Sequence, residues 1–151
     1  RTMSLASYSL SCICSVSDNG HRQCKIFNST INGEMFKAYM TELIGLYRLD
    51  NQIVVFVMDN ASIHRQGIVE LAEANCCKVL FNAPYSPECN PIELVFGIWK
   101  SRVGKLMNVD VADMLANIAR CFEENVPAEI RRCVQYFLVD VTERVMNHED
   151  L

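Results

Sequence analysis

Gln52-Ile53-Val54-Val55-Phe56-Val57-Met58-Asp59-Asn60 is the stretch on which the fold turns. Six consecutive apolar residues, rich in β-branched side chains, predict a short strand buried on both faces, the pattern of a parallel sheet covered by helices. Asp59 closes the run. In open α/β sheets ligands bind beyond the carboxyl ends of the strands, so a carboxylate there is held rigidly at a cleft mouth. A plainer reading is available, in which Asp59 or Asn60 only caps the helix that follows.

Upstream, Met35, Phe36, Tyr39, Met40, Leu43, Ile44 and Tyr47 recur at helical spacing and predict a helix from Gly33 to Leu49, with Ser29, Thr30 and Asn32 as candidate caps. Before it, residues from about Leu5 to Val16 alternate polar and apolar, Asp18-Asn19-Gly20 supplies turn chemistry, and His21 to Phe27 completes an antiparallel hairpin. Downstream come a helix from about Arg65 to Asn75, a strand from Cys77 to Phe81, and an irregular segment from Asn82 to Asn90. Pro91 opens a helix running to about Leu106, and two more helical patterns cover Val111 to Asn125 and Pro127 to Asn147. The order is that of a mixed α/β domain in which a hairpin feeds a parallel part.

Composition agrees with one such domain. The chain has 151 residues, 50% hydrophobic and 21% charged, with 6 Gly and 4 Pro, which excludes disordered and collagenous classes. The longest apolar run is strand length, too short for a membrane span. Ser9, Ser11 and Ser15 interrupt any signal core, so no targeting segment is read and the chain is not expected to be secreted. Arg1 is not an initiator methionine and the alternating segment starts within a few residues of it; the N-terminus is read as cut or incomplete. Net charge of −4 gives no overall attraction to nucleic acid, so such binding must use a local patch.

Eight cysteines lie within apolar patterns and read as reduced core thiols in an intracellular compartment. Strand and turn could bring Cys12, Cys14, His21 and Cys24 together, but the spacing matches no common zinc finger. Cys12 and Cys14 are read as small apolar residues on one face.

The helix from Pro91 carries Ile92, Val95, Phe96, Trp99, Val103 and Leu106 on a core stripe, and Glu93, Gly97, Lys100 and Gly104 on another. Asn90-x-x-Glu93 is also a capping box, and a first-turn carboxylate suits the helix dipole without any further role. Lys100 lies about 10.5 Å along the axis from Glu93, within reach of a phosphate, or is simply a solvated lysine.

One combined string decides among these readings. Asp59-Asn60-Ala61-Ser62-Ile63-His64 is followed by Pro84-Tyr85-Ser86-Pro87-Glu88-Cys89-Asn90-Pro91-Ile92-Glu93, and then by Lys100. This resembles the catalytic core of mariner-type DDE transposases, D-N-A-x-x-H and P-Y-S-P-x-L-N-P-I-E-x-x-W-x-x-x-K. The 33 residues between Asp59 and Glu93 fit that family's spacing. Two positions depart from it, Phe96 at the usual Trp and Cys89 at the usual Leu.

The resemblance implies a ribonuclease H-like mixed sheet with flanking helices, Asp59 and Glu93 as the second and third acidic ligands of two magnesium or manganese ions, and DNA cleavage and strand transfer by in-line displacement at phosphorus. It further implies DNA contacts through Lys100, His64, Arg65 and Arg102, motif roles for Asn60, Pro84, Tyr85, Ser86, Pro87, Asn90 and Pro91, and transposon-end and target DNA as partners. A homodimer and a nuclear location in a eukaryote, otherwise cytoplasmic, are also implied. No residue matches the family's first aspartate, so the first strand is read as missing and the chain as inactive alone. Residues 1–106 are assigned to the partial catalytic domain and 107–151 to helices packed on it. The competing readings are a non-catalytic relic or domesticated DNA-binding or protein-association domain, and an unrelated α/β module in which Asp59 and Glu93 are caps.

Overall fold

The computed structural model describes residues 10–47, 53–83, 90–106, 110–124 and 127–141. A hairpin of β1 (Ser11–Val16) and β2 (Arg22–Phe27) leads into α1 (Gly33–Tyr47), then β3 (Val55–Met58), α2 (Ser62–Arg65), α3 (Ile68–Glu73) and β4 (Lys78–Phe81). Three helices follow, α4 (Pro91–Val103), α5 (Val111–Glu124) and α6 (Pro127–Tyr136), the last running into a π-helical turn at Phe137–Val141. Leu5 to Ser9, Leu49, Gln52, Pro84 to Cys89, Asn125 and the stretch 142–147 fall outside the described residues.

The hairpin turn forms where its residues require it. Ser17 N donates to His21 O at 2.9 Å, and Gly20 takes a φ of 85°, the left-handed value a three-residue hairpin loop needs and glycine adopts without strain. β1 and β2 pair antiparallel with Cys14 opposite Cys24, so alternate residues face opposite ways. Ile13 and Phe27 pack toward α1, against Phe36, Tyr39, Met40 and Leu43. Cys12, Cys14, Val16 and Cys24 pack toward the second cluster, in which Val95 and Trp99 of α4 meet Cys121 and Phe122 of α5 and Ile130, Cys133 and Val134 of α6. Arg22 ties that side down by donating to the carbonyls of Phe122, at 3.2 Å, and Glu123 at the end of α5, where orphan carbonyls need donors.

β3 and β4 pair in parallel, Val55 opposite Lys78 and Met58 opposite Phe81. Phe56, Met58, Val79 and Phe81 lie on the core side of this pair with α1 and Ile68 of α3. The expectation of burial on both faces is corrected here. Val55 is 50% exposed and Leu80 56%, because helices cover only one face of the pair among the described residues. Among the described residues pairing is also in two pieces, each sheet having two strands, and α1 packs against both.

The helix expected over Arg65 to Asn75 is likewise corrected. It starts earlier, at Ser62, and breaks at Gln66-Gly67, where Gly67 adopts a φ of 69° and caps the start of α3. Strand geometry starts at Val55 and not within the apolar residues before it, although Val54 O still accepts from Lys78 N at 2.9 Å. α1 starts where expected, with Asn32 Oδ1 accepting from Met35 N at 2.9 Å as its cap. All seven described cysteines are free thiols, in line with the reading of reduced cysteines. Among the described residues no helix is long and apolar enough to cross a membrane.

Tyr39 couples α1 to the hairpin. Its hydroxyl is hydrogen-bonded to Ser15 Oγ at 2.8 Å, and lies 3.2 Å from Gln23 O, on a residue only 2% exposed. Burial pushes its pKa up from the ordinary value near 10, the bond to Ser15 opposing this only in part. A raised folded-state pKa leaves stability intact below pH 10 and erodes it as pH climbs above, since the unfolded phenol ionises first. Urea midpoints from about pH 9 to about pH 11 should therefore fall more steeply for the wild type than for Tyr39→Phe. Equal slopes would show that the phenol is not held neutral.

Candidate functional site

The site is built on the ends of β3 and β4. Asn82 N donates to Met58 O at 2.9 Å, extending the parallel pair by one bond, and Asn60 Nδ2 donates to Asn82 O across the same end. Asn60 Oδ1 in turn accepts from Arg65, whose guanidinium lies 5.6 Å above the Phe81 ring. Asn60 thus ties the end of β3 to that of β4 and to α2. Arg65 is engaged in this latch.

Asp59 precedes this latch and points outward, its side chain 60% exposed. One oxygen, Oδ1, accepts from Ala61 N at 3.2 Å and lies 2.5 Å from His64 Nδ1. The His64 side chain is only 18% exposed and its ring packs against Phe36 of α1, with centroids 4.2 Å apart. His64 both packs on Phe36 and contacts the Asp59 carboxylate. His64 braces one side of the Asp59 carboxylate while leaving the carboxylate open to solvent.

Glu93 stands in the first turn of α4, exposed. Asn90 caps this helix, its Oδ1 accepting from Ile92 N at 3.2 Å, and Pro91 takes the first position. The reciprocal half of a capping box is not seen, and Glu93's carboxylate has no polar partner among the described residues. Capping therefore does not consume it. Val95 and Trp99 on the core stripe are buried, at 2% and 6% exposure, and the indole Nε1 donates to Ile118 O at 3.0 Å.

Lys100, seven residues beyond Glu93, holds its ammonium 5.8 Å from the centroid of Phe96 and close enough to Cys12 to favour that residue's thiolate. Arg102 lies on the same last turn. Pro84, Tyr85, Ser86 and Pro87 are outside the described residues, and with them the loop leading to Asn90. Sequence reasoning missed Asn82, 9% exposed and the acceptor for Asn60, and Phe36, the platform for His64. Asn82 carried a usable signal, since it follows β4 as Asp59 follows β3.

A family profile described as DDE superfamily endonuclease matches residues 5–115. The chain belongs to this superfamily. No curated protein sequence matches it. Among solved structures it is similar to the catalytic domain of Mos1 mariner transposase, with a TM-score of 0.67 at 18% identity over 83% of this chain and 67% of that one. It is similar also to the Mos1 strand transfer complex, with a TM-score of 0.68 at 18% identity, covering 99% of this chain and 46% of that chain. The fold is therefore the ribonuclease H-like fold of transposase catalytic domains. At this identity the likeness fixes the fold and not the role of any residue.

The superfamily's metals are hard divalent cations, which take oxygen ligands. Asp59 and Glu93 have the right donor chemistry: both are exposed carboxylates, one braced and one unpartnered. Among the described residues the one set of three side chains placed to share an ion is made of cysteines.

Proposed function

We propose that this chain is part of a DNA transposase catalytic domain, in which Asp59 and Glu93 supply two of the carboxylates that hold magnesium or manganese for in-line phosphoryl transfer. The observation that carries this reading is the Asp59 carboxylate, set at the end of β3, braced by His64 and still open to solvent. Bound metal would supply charge stabilisation and activation of the attacking oxygen. The chain's own residues do the positioning. Asn60 latches the two strand ends, His64 orients Asp59, and Asn90 sets the start of α4 so that Glu93 leaves the helix in its first turn.

DNA is the proposed partner, as transposon ends and target, with Lys100, His64, Arg65 and Arg102 as candidate contacts. Arg65 is already engaged by Asn60 and Phe81. Two carboxylates make an incomplete two-metal site, so we propose that these 151 residues do not cleave DNA alone. The second reading is a domain that binds DNA or protein without cleaving, since no residue of the sequence matches the family's first aspartate.

Calorimetric titration with manganese tests the first reading. The wild-type chain is expected to bind saturably, and Asp59→Asn and Glu93→Gln are each expected to lose that binding while keeping the wild-type circular dichroism spectrum. No binding by the folded wild type, or binding untouched by both substitutions, would overturn the assignment and leave the non-catalytic reading.

A further inference from the structure

The face of the hairpin away from α1 carries three thiols that the carboxylate site does not use. Cys12 and Cys14 lie two apart on β1 and so point the same way, and the register sets Cys24 of β2 directly opposite Cys14. All three Sγ atoms lie within 4.8 Å of one another, with Cys14 and Cys24 2.9 Å apart. The three residues are half-buried, and Val16, Phe96 and Trp99 pack in the same apolar cluster.

We propose that Cys12, Cys14 and Cys24 form a three-sulfur site for a thiophilic metal ion, zinc or copper(I). The donor set is the first argument. Sulfur ligands select soft or borderline ions and not the magnesium or manganese proposed for Asp59 and Glu93. Size is the second. With metal–sulfur bonds of about 2.3 Å, two sulfurs on one ion stand at most about 4.6 Å apart. Three sulfurs around one ion stand about 3.8–4.0 Å apart at that bond length, so the Cys14–Cys24 contact of 2.9 Å must open by about 1 Å.

Electrostatics favour the same site. The Lys100 ammonium lies close enough to Cys12 to favour its thiolate form. With three thiolates bound, zinc leaves a net charge of −1 and copper(I) −2, and Lys100 stands where it offsets part of that charge. The sequence reading of Cys12 and Cys14 as small apolar residues set the group aside because the spacing fits no common zinc finger; the hairpin register supplies the third ligand.

Anaerobic titration of the reduced chain tests the proposal in two arms, cobalt(II) as the spectroscopic stand-in for zinc, and copper(I) against a competing chelator. One equivalent per chain is expected in at least one arm, with sulfur-to-cobalt charge-transfer absorption if the site takes a zinc-like ion. Binding should be lost in Cys12→Ser, Cys14→Ser and Cys24→Ser and kept in Cys76→Ser, an exposed thiol outside the cluster. Should a serine variant unfold, alkylation of the wild type replaces it: bound metal is expected to protect Cys12, Cys14 and Cys24, read by peptide mass mapping, and to leave Cys76 reactive. Binding in neither arm, binding that survives the serine substitutions, or protection that spares these three would overturn the site. So would a Cys14–Cys24 disulfide that persists under the reducing conditions.

Discussion

Phe122→Ala is expected to lower unfolding stability by about 3–5 kcal/mol, the cost of emptying a large aromatic site in a packed core. Phe122 is 2% exposed and meets Trp99 edge to face, with centroids 5.2 Å apart. That geometry adds to simple burial, because the positive ring edge faces the negative ring face. The site has little room to collapse, since Trp99 is fixed from both sides by its indole bond to Ile118 and by the Phe96 ring 5.9 Å away. A domain of this size has a total stability of about 5–15 kcal/mol, so the variant should be marginal at room temperature. Urea denaturation followed by tryptophan fluorescence reads the change directly, Trp99 being the single tryptophan. Phe122→Leu should recover much of the loss. An unchanged midpoint in Phe122→Ala would mean that α5 does not pack on α4 as described.

His64→Ala is expected to weaken manganese binding by about 10- to 100-fold, the usual effect of removing a partner that orients a metal ligand. His64 touches Asp59 through Nδ1 at 2.5 Å and touches Phe36 through its ring face, and these two roles can be separated. His64→Phe keeps an aromatic ring against Phe36 and removes the nitrogen. If the histidine acts by orienting the carboxylate, His64→Phe should lose as much affinity as His64→Ala while being the more stable of the two. Wild-type affinity in His64→Phe would reduce His64 to a packing residue. Affinity is the readout to follow, because a change in stability alone cannot tell the two roles apart.

Much of the site could be read from local chemistry. Asp18-Asn19-Gly20 demanded a tight turn, Asn90-Pro91 a helix start, and Asp59 after an apolar run a carboxylate at a strand end; each appears where expected. What sequence left open depends on partners distant in the chain. An apolar run such as Val55 to Met58 records that a strand is hydrophobic and not which of its faces a helix will cover. Glycine within a helical pattern is often tolerated, so the break at Gly67 had no local signature beyond the residue itself. His64 packs on Phe36 as well as contacting Asp59, and only the position of Phe36, far away in the chain, shows the packing. The sequence raised Cys12, Cys14 and Cys24 as a possible group, but only the register shows Cys24 directly against Cys14.

α1 gives the domain its mechanical unity. Phe36, Tyr39, Met40 and Leu43 close the core beneath the hairpin and beside Met58, and Ile44 extends the contact to Ala72 and Cys77. With no strand pairing between the two sheets among the described residues, backbone hydrogen bonds do not carry cooperativity from one to the other. That task falls to one amphipathic helix. Loosening α1 therefore releases Phe36 from His64 at the same moment as it frees Tyr39 from the hairpin, so the carboxylate's brace and the thiol-bearing strands share a single opening event in amide hydrogen exchange.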